Sequence, residues 1–142
     1  MNTQDTTARD AAVQRVRAVI ESLDREGATP IDAGDAKADF RTALPQFLKE
    51  GRQFDLAFVD GNHRFDAVFL DLYYLGHLVR KGGVIILDDY NLPGIERAAS
   101  FFVKNLEWKI EERSLPGDAH RWVVLRTSED EDTRDFRYFV EF

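Results

Sequence analysis

The pattern of apolar and polar residues predicts a strand–helix–strand unit in the middle of the chain. Two short apolar runs, 56–59 and 84–87, have the length and composition of buried strands. Between the runs, apolar residues recur at the three- and four-residue spacing of one helix face. These residues are Phe65, Val68, Phe69, Leu72, Leu75, Leu78 and Val79. A helix that joins two strands in this way makes them parallel in a right-handed βαβ unit.

Upstream of this unit, the pattern predicts two helices and a short strand. The first helix starts at Thr7 or Asp10 and runs to about Glu26. The segment 29–33 has weak strand character, and an amphipathic helix then follows over 40–48.

Downstream, Pro93-Gly94 leads into another helix, and residues 108–113 and 121–127 read as two antiparallel strands. Trp108 and Trp122 are expected to pack in the core or across these strands. The chain is therefore expected to be a single α/β domain over 1–142, with an antiparallel hairpin closing a parallel sheet.

Composition and charge exclude several classes of protein. The 142 residues suit one domain with a real core, and the net charge of −7 argues against a nucleic-acid partner. The absence of cysteine excludes disulfides, thiolate metal sites and a cysteine nucleophile. No apolar run approaches the roughly 18 residues of a membrane span, and the first residues lack the apolar core of a signal peptide. We therefore expect a cytoplasmic protein without a membrane partner.

Carboxylates follow both strands of the central unit. Asp60 comes directly after the first apolar run, and Asp88 and Asp89 come after the second. The carboxyl ends of parallel strands lie at one edge of the sheet, where open α/β folds bind their ligands. Carboxylates are the oxygen ligands that Mg²⁺ prefers. The alternative is structural, because acids at strand ends also form turns and cap helices.

Three other residues near these turns are candidates for a local role. His63 follows Asp60 closely and is either a general base or, with Asn62, a capping turn for the next helix. Arg80 and Lys81 precede a Gly-Gly pair and are expected to stabilise the carboxyl end of the central helix.

The two strand ends together resemble a known family. FDLAFVDGNH, followed by GGVIILDDYN, is similar to the second half of a class I S-adenosylmethionine-dependent methyltransferase. Small-molecule O-methyltransferases of the catechol and caffeoyl-CoA type are the nearest in pattern, and the resemblance covers about 29–127. It implies a Rossmann-like sheet and methyl transfer from S-adenosylmethionine to a small hydroxylated substrate. The segment 128–142, acidic and then aromatic, lies outside it.

The resemblance assigns roles to individual residues. Asp35 and Ala36, in the sequence GDA, stand where the family contacts the adenine ring of the cofactor. Asp60, Gly61 and His63 follow the strand nearest the methyl-transfer site. They are expected to contact the cofactor, with Asp60 and His63 also taking part in catalysis.

Metal-dependent members of this family hold a divalent cation, often Mg²⁺, at three acids. Asp60, Asp88 and Asp89 occupy the matching positions here. The resemblance therefore implies a cation that holds the hydroxyl group of the substrate.

One departure from the family pattern affects the sheet. No GxGxG loop precedes residue 54, and the upstream glycines Gly27, Gly34 and Gly51 lie far apart. We therefore expect an N-terminally truncated sheet in which the strand at 56–59 lacks its usual neighbour. Either the segment 29–33 or a strand from a second chain, as in a homodimer, is expected to cover that edge.

Other functions remain open or are disfavoured. A truncated methyltransferase-like domain can also serve as a non-catalytic dimerisation or interaction module, and the missing glycine loop favours that alternative. A phosphate-loop hydrolase would need G-x-x-x-x-G-K-[ST], which is absent. A receiver-type domain would carry its acidic pair near the start of the chain.

Overall fold

The computed structural model describes the backbone of residues 30–31 and 40–142 and the side chains of residues 42–142. The strands are β1 (Pro30–Ile31), β2 (Phe54–Val59), β3 (Val79–Asp88), β4 (Lys109–Arg113) and β5 (Trp122–Arg126). The helices are α1 (Phe40–Lys49), α2 (Phe65–Leu78) and α3 (Pro93–Asn105). The helix predicted from Thr7 or Asp10 to about Glu26, and the GDA sequence at 34–36, lie outside the described residues. Within the described ranges, no helix combines the length and apolar character that crossing a membrane requires.

The five strands form one mixed sheet in the order β1-β2-β3-β5-β4. β1, β2 and β3 are parallel, whereas β5 is antiparallel to both β3 and β4. The predicted α/β fold with an antiparallel hairpin is therefore confirmed. β1 pairs directly with β2, with Pro30 opposite Leu56 and Ile31 opposite Ala57. Pro30 and Ile31, within the predicted segment 29–33 of the same chain, thus supply a neighbour for part of β2.

The main core lies between the sheet and the three helices. α2 and α3 turn the apolar face predicted from their sequences towards the strands, and this burial stabilises both helices. The buried residues of these helices are Val68, Leu72, Leu75, Leu78, Ile95, Ala98, Ala99, Phe102 and Asn105. A smaller cluster around Val84 and Val124 lies apart from the main core.

The two tryptophans, predicted to pack in the core or across the strands, pack in different apolar clusters. Trp108 lies in the main core with its ring centroid 4.7 Å from that of Phe102. Trp122 belongs to the smaller cluster and stands opposite Asp88 in the sheet. Successive strand residues point to opposite faces of the sheet, so neighbouring positions can belong to different apolar clusters. Core packing of Trp108 is confirmed.

β3 begins five residues earlier than its apolar run suggests, and this corrects the prediction for Arg80 and Lys81. Both residues belong to the strand, where Arg80 pairs with Asp55 and Lys81 with Glu131. The Gly-Gly pair lies inside the strand, at a register shift between Phe54 and Leu56 of β2. Basic side chains at this position therefore tie strand to strand and strand to the 128–142 segment, rather than capping a helix.

The 128–142 segment carries an ion pair that predicts a dependence of stability on pH. Arg134 donates a hydrogen bond that lowers the pKa of Asp132 from 3.8 to about 2. A carboxyl group of this kind stabilises the fold above its unfolded pKa, and the contribution is lost as the pH falls towards 2. The Asp132 side chain is 53% exposed, which screens the pair. We therefore expect Asp132→Asn to cost less than about 1 kcal/mol at neutral pH.

Urea denaturation of both proteins between about pH 7 and pH 2 checks this prediction. The difference in unfolding free energy between wild type and Asp132→Asn should shrink as the pH falls below about 4. Asp130→Asn, in the same exposed acidic run, is the control. A difference that stays constant down to pH 2 would rule out the ion pair as its source.

Candidate functional site

The candidate site lies where β2 and β3 end. Val59 and Leu87 are paired at the ends of these parallel strands, so the residues that follow them leave the sheet side by side. Asp60 follows β2, and Asp89 follows β3 by one residue. This is the edge at which open α/β sheets bind ligands.

Asp60, His63 and Asp89 come together at this edge. One ligand atom from each of the three side chains lies within 4.8 Å of the other two. The imidazole Nε2 of His63 is 2.9 Å from Oδ2 of Asp89, with the two side chains 49% and 38% exposed. The side chains are thus open to solvent and to a ligand.

Asn62 shapes the loop that carries His63. Its Oδ1 accepts a hydrogen bond of 2.9 Å from the backbone N–H of Arg64, which makes an Asx turn just before α2. Arg64 occupies the N-cap position of α2 and makes no side-chain cap hydrogen bond. The turn role predicted for Asn62 is therefore observed, while the imidazole of His63 faces Asp89.

The first turn of α3 packs tightly against the same loop. A Cβ atom added to Gly94 would lie 3.1 Å from the backbone nitrogen of Phe65 and 3.3 Å from the carbonyl oxygen of His63. Such distances are tighter than nearly all real Cβ contacts. The loop after β2 and the helix after β3 therefore hold each other in place.

The turn after β3 presents the carboxylate of Asp89, rather than that of Asp88, to His63. Asp89 adopts a φ of 52°, in the left-handed region. Its backbone N–H donates a hydrogen bond of 2.9 Å to Oδ1 of Asp88. Asp88 is thus occupied in shaping the turn and lies outside the three-residue cluster, and its part in metal binding stays a prediction.

Tyr90 is a neighbour that the sequence analysis did not single out. Burial raises the pKa of its phenol, the carboxylate of Glu96 raises it further, and Arg113 opposes this. The phenol therefore stays protonated at neutral pH, where it can donate a hydrogen bond but cannot act as a base. Its only sequence signal is a hydroxyl-bearing aromatic residue directly after the acidic pair.

A small open depression lies beside the cluster, between α1, β2 and α2. Asp60 and Gly61 form part of its lining, together with the apolar side chains of Leu44, Val59 and Leu75. A ligand seated there would meet apolar surface on one side and the carboxylate of Asp60 on the other. Asp35 and Ala36, the predicted adenine contacts, lie outside the described residues.

The donor set of the cluster fits a divalent cation. Two carboxylates and one imidazole suit Mn²⁺, Zn²⁺ or Fe²⁺, and the carboxylates alone suit Mg²⁺ with additional water ligands. The same geometry also suits proton transfer. A carboxylate bound to one imidazole nitrogen orients the ring and fixes its tautomer.

A family model described as a methyltransferase domain matches residues 3–90 of the chain. The match includes the segment upstream of 29 that the sequence resemblance left out. The match ends at Tyr90, directly after the acidic pair Asp88-Asp89 at the end of β3. No curated protein matches the chain at a significant level.

Solved structures of similar fold include cofactor-bound Rv0187 from MTB, which is 16% identical over 66% of this chain and 47% of that chain, with a TM-score of 0.51. The O-methyltransferase TomG from Streptomyces achromogenes, in complex with SAM, is 17% identical over 63% of this chain and 47% of that chain, with a TM-score of 0.49. An O-methyltransferase from Bacillus cereus, in complex with SAH, is 18% identical over 61% and 46%, with a TM-score of 0.47. The chain spans less than half the length of each of these proteins.

Proposed function

The chain belongs to the methyltransferase domain family, and we propose that it transfers a methyl group from S-adenosylmethionine to a hydroxyl group of a small molecule, assisted by a divalent cation. The meeting of Asp60, His63 and Asp89 at the carboxyl ends of β2 and β3 is the observation that carries this proposal. Deprotonation of a hydroxyl group needs one positioned base at the ligand-binding edge, and this cluster offers an imidazole with carboxylates to orient it.

Methyl transfer from a sulfonium to an oxygen needs an in-line approach and the removal of one proton. The oxygen–carbon bond forms as the sulfur–carbon bond breaks, which leaves a neutral thioether and releases the hydroxyl proton. His63 is suited to take this proton, because Asp89 holds the proton of Nε2 and leaves Nδ1 with its lone pair. Placing the two reactants side by side supplies much of the rate acceleration.

Asp60 and Asp89 would hold the divalent cation in this proposal. When bound, the cation would lower the pKa of a substrate hydroxyl and orient it, which is a Lewis-acid role. We place the cofactor against the edge where Asp60 and Gly61 border a depression of apolar lining. Asp35 and Ala36 are proposed to contact the adenine ring, as the family pattern implies.

Calorimetric titration with S-adenosylmethionine, with and without Mg²⁺ or Mn²⁺, tests the proposal. We expect cofactor binding in the micromolar range and cation binding that Asp89→Asn weakens by about tenfold or more. Asparagine tolerates the left-handed backbone of Asp89, so this variant removes charge without straining the turn. Asp66→Asn, at the exposed first turn of α2, is the matched control and should bind the cation like the wild type.

A non-catalytic interaction module is the second candidate, favoured by exposed aromatic side chains. Phe136 is 96% exposed and Phe139 63% exposed, and Phe58 on β2 is 47% exposed. Large apolar surfaces of this kind often mark protein interfaces, including those of homodimers. No cofactor binding at millimolar ligand, together with concentration-dependent association in sedimentation experiments, would replace the enzymatic proposal by this one.

A further inference from the structure

The 128–142 segment returns to the helices and ends its described course beside the candidate site. Two contacts anchor it, one at the carboxyl end of α3 and one at the first turn of α2. We infer that Asn105 and Phe142 are positioning residues, which hold the loop of His63 in place by clamping this segment across α2 and α3. The inference takes its catalytic meaning from the proposed function, whereas the structural coupling can be measured without it.

Asn105 forms the first anchor. The side chain is only 2% exposed, although it is polar and lies at the end of a helix. Its Nδ2 donates to the carbonyl oxygen of Val140, and its Oδ1 accepts from the backbone N–H of Val140, each at 2.8 Å. A buried amide that satisfies both backbone groups of one residue fixes the position of that residue strongly, because either group would be costly to leave unpaired.

One face of α3 extends from this anchor towards the site. Asn105, Phe101 and Arg97 are spaced four residues apart and therefore share one face of the helix. The ring of Phe142 lies against this face, 5.1 Å from the ring of Phe101 in an edge-to-face arrangement. The guanidinium of Arg97 lies 5.1 Å from the centroid of the Phe142 ring, as a cation–π contact.

The second anchor joins α3 to α2 through Phe142. The rings of Phe142 and Phe65 are nearly parallel, 11° apart, with centroids at 6.5 Å. Phe65 is the first residue of α2 and follows His63 by two positions. Gly94, in the first turn of α3, packs against the backbone of the same loop. Phe142 therefore bridges the first residue of α2 and the middle of α3, the two helices that both contact the loop of His63.

The remainder of the segment has its own attachments and is separable from this role. Lys81, near the amino end of β3, pairs with Glu131. Arg134 and Arg137 pair with aspartates of their own segment. Phe136 is almost fully exposed. A substitution at Phe136 thus changes the same kind of residue in the same segment without touching either anchor.

Hydrogen–deuterium exchange resolved by residue tests the inference on the full chain. The probes are the backbone amides of Arg64 and Val68, which are bonded to Asn62 Oδ1 and to the carbonyl of Arg64. Phe142→Ala and Asn105→Ala should each speed exchange at these amides by about two- to tenfold. For Phe142, this fold-change corresponds to the free energy of an aromatic contact. Phe136→Ala should leave them unchanged.

Two outcomes would overturn the inference. Faster exchange confined to the 128–142 segment would show that the segment covers the helices without holding the loop. Equal acceleration in β3 and β5 would show a general loss of stability. If Phe142→Ala destabilises the whole domain, Phe142→Leu keeps the apolar volume without the ring contacts and allows the same comparison.

Cation titration separates this inference from the proposed function. If the wild type binds Mn²⁺, Phe142→Ala should weaken the binding while Phe136→Ala does not. If the wild type binds neither cation nor cofactor, the proposed function fails, but accelerated exchange at Arg64 and Val68 still supports the clamp.

Discussion

Phe102→Ala is expected to lower the free energy of unfolding by about 3–5 kcal/mol, the range for removing a large buried aromatic side chain. Phe102 is 2% exposed and lies at the centre of the aromatic part of the core. Its ring centroid lies 4.7 Å from that of Trp108, 5.3 Å from that of Phe69 and 5.2 Å from that of Phe101. Two helices, α2 and α3, and the connection to β4 that carries Trp108 would therefore line the resulting cavity and could not collapse into it together.

Chemical denaturation monitored by tryptophan fluorescence measures this loss, because Trp108 touches the substituted ring. Phe136→Ala is the control, since it removes an equally large ring that is 96% exposed and should shift stability by less than about 0.5 kcal/mol. Equal effects of the two substitutions would show that Phe102 is not packed as described.

Gly83→Ala is expected to destabilise the protein by about 3 kcal/mol, at the upper end for overpacking. A Cβ atom at Gly83 would lie 2.5 Å from Cγ1 of Val79, 2.8 Å from the carbonyl oxygen of Arg80 and 3.0 Å from that of Asp55. Two of these three atoms belong to the backbone, so a change of side-chain rotamer cannot relieve the contact. The path of β3 between Val79 and Gly83, and its spacing from Asp55 of β2, would both have to change at this register shift.

Urea denaturation with Gly61→Ala as the matched control tests this expectation. No atom lies within 4 Å of the position that a Cβ at Gly61 would take, so its replacement should change stability by less than about 0.5 kcal/mol. A Gly83→Ala protein as stable as wild type would show that the two strands approach less closely than the structure indicates.

The strand–helix–strand unit could be predicted from sequence because the residues that set its apolar periodicity are largely the residues that the fold buries. The start of β3 could not, because Gly82 and Gly83 resemble the end of an element. Gly82 does adopt a left-handed φ of 69°, yet the chain continues as a strand on both sides of it. Glycine there permits close approach of two backbones, a requirement that depends on the facing strand and is invisible locally.

The candidate site was predictable as a region and less so as a set of side chains. Two strands ending in acids placed Asp60 and Asp89 at one edge from sequence alone. Which acid of the Asp88-Asp89 pair faces His63 depends on the left-handed turn at Asp89, which no pattern in the sequence specifies. The aromatic residues of 128–142 indicated packing against the domain or a partner. The face of α3 that Phe142 contacts, however, is defined only once the helices are packed.

The backbone of Asp89 has a consequence for engineering. A side chain in the left-handed region costs of order 1 kcal/mol, and glycine would relieve that strain. Stability-guided optimisation would therefore favour glycine at this position and remove the carboxylate that holds His63. If the proposed function holds, stability and activity are opposed at this residue, and a more thermostable variant selected without an activity screen would be expected to arise partly by disabling the site.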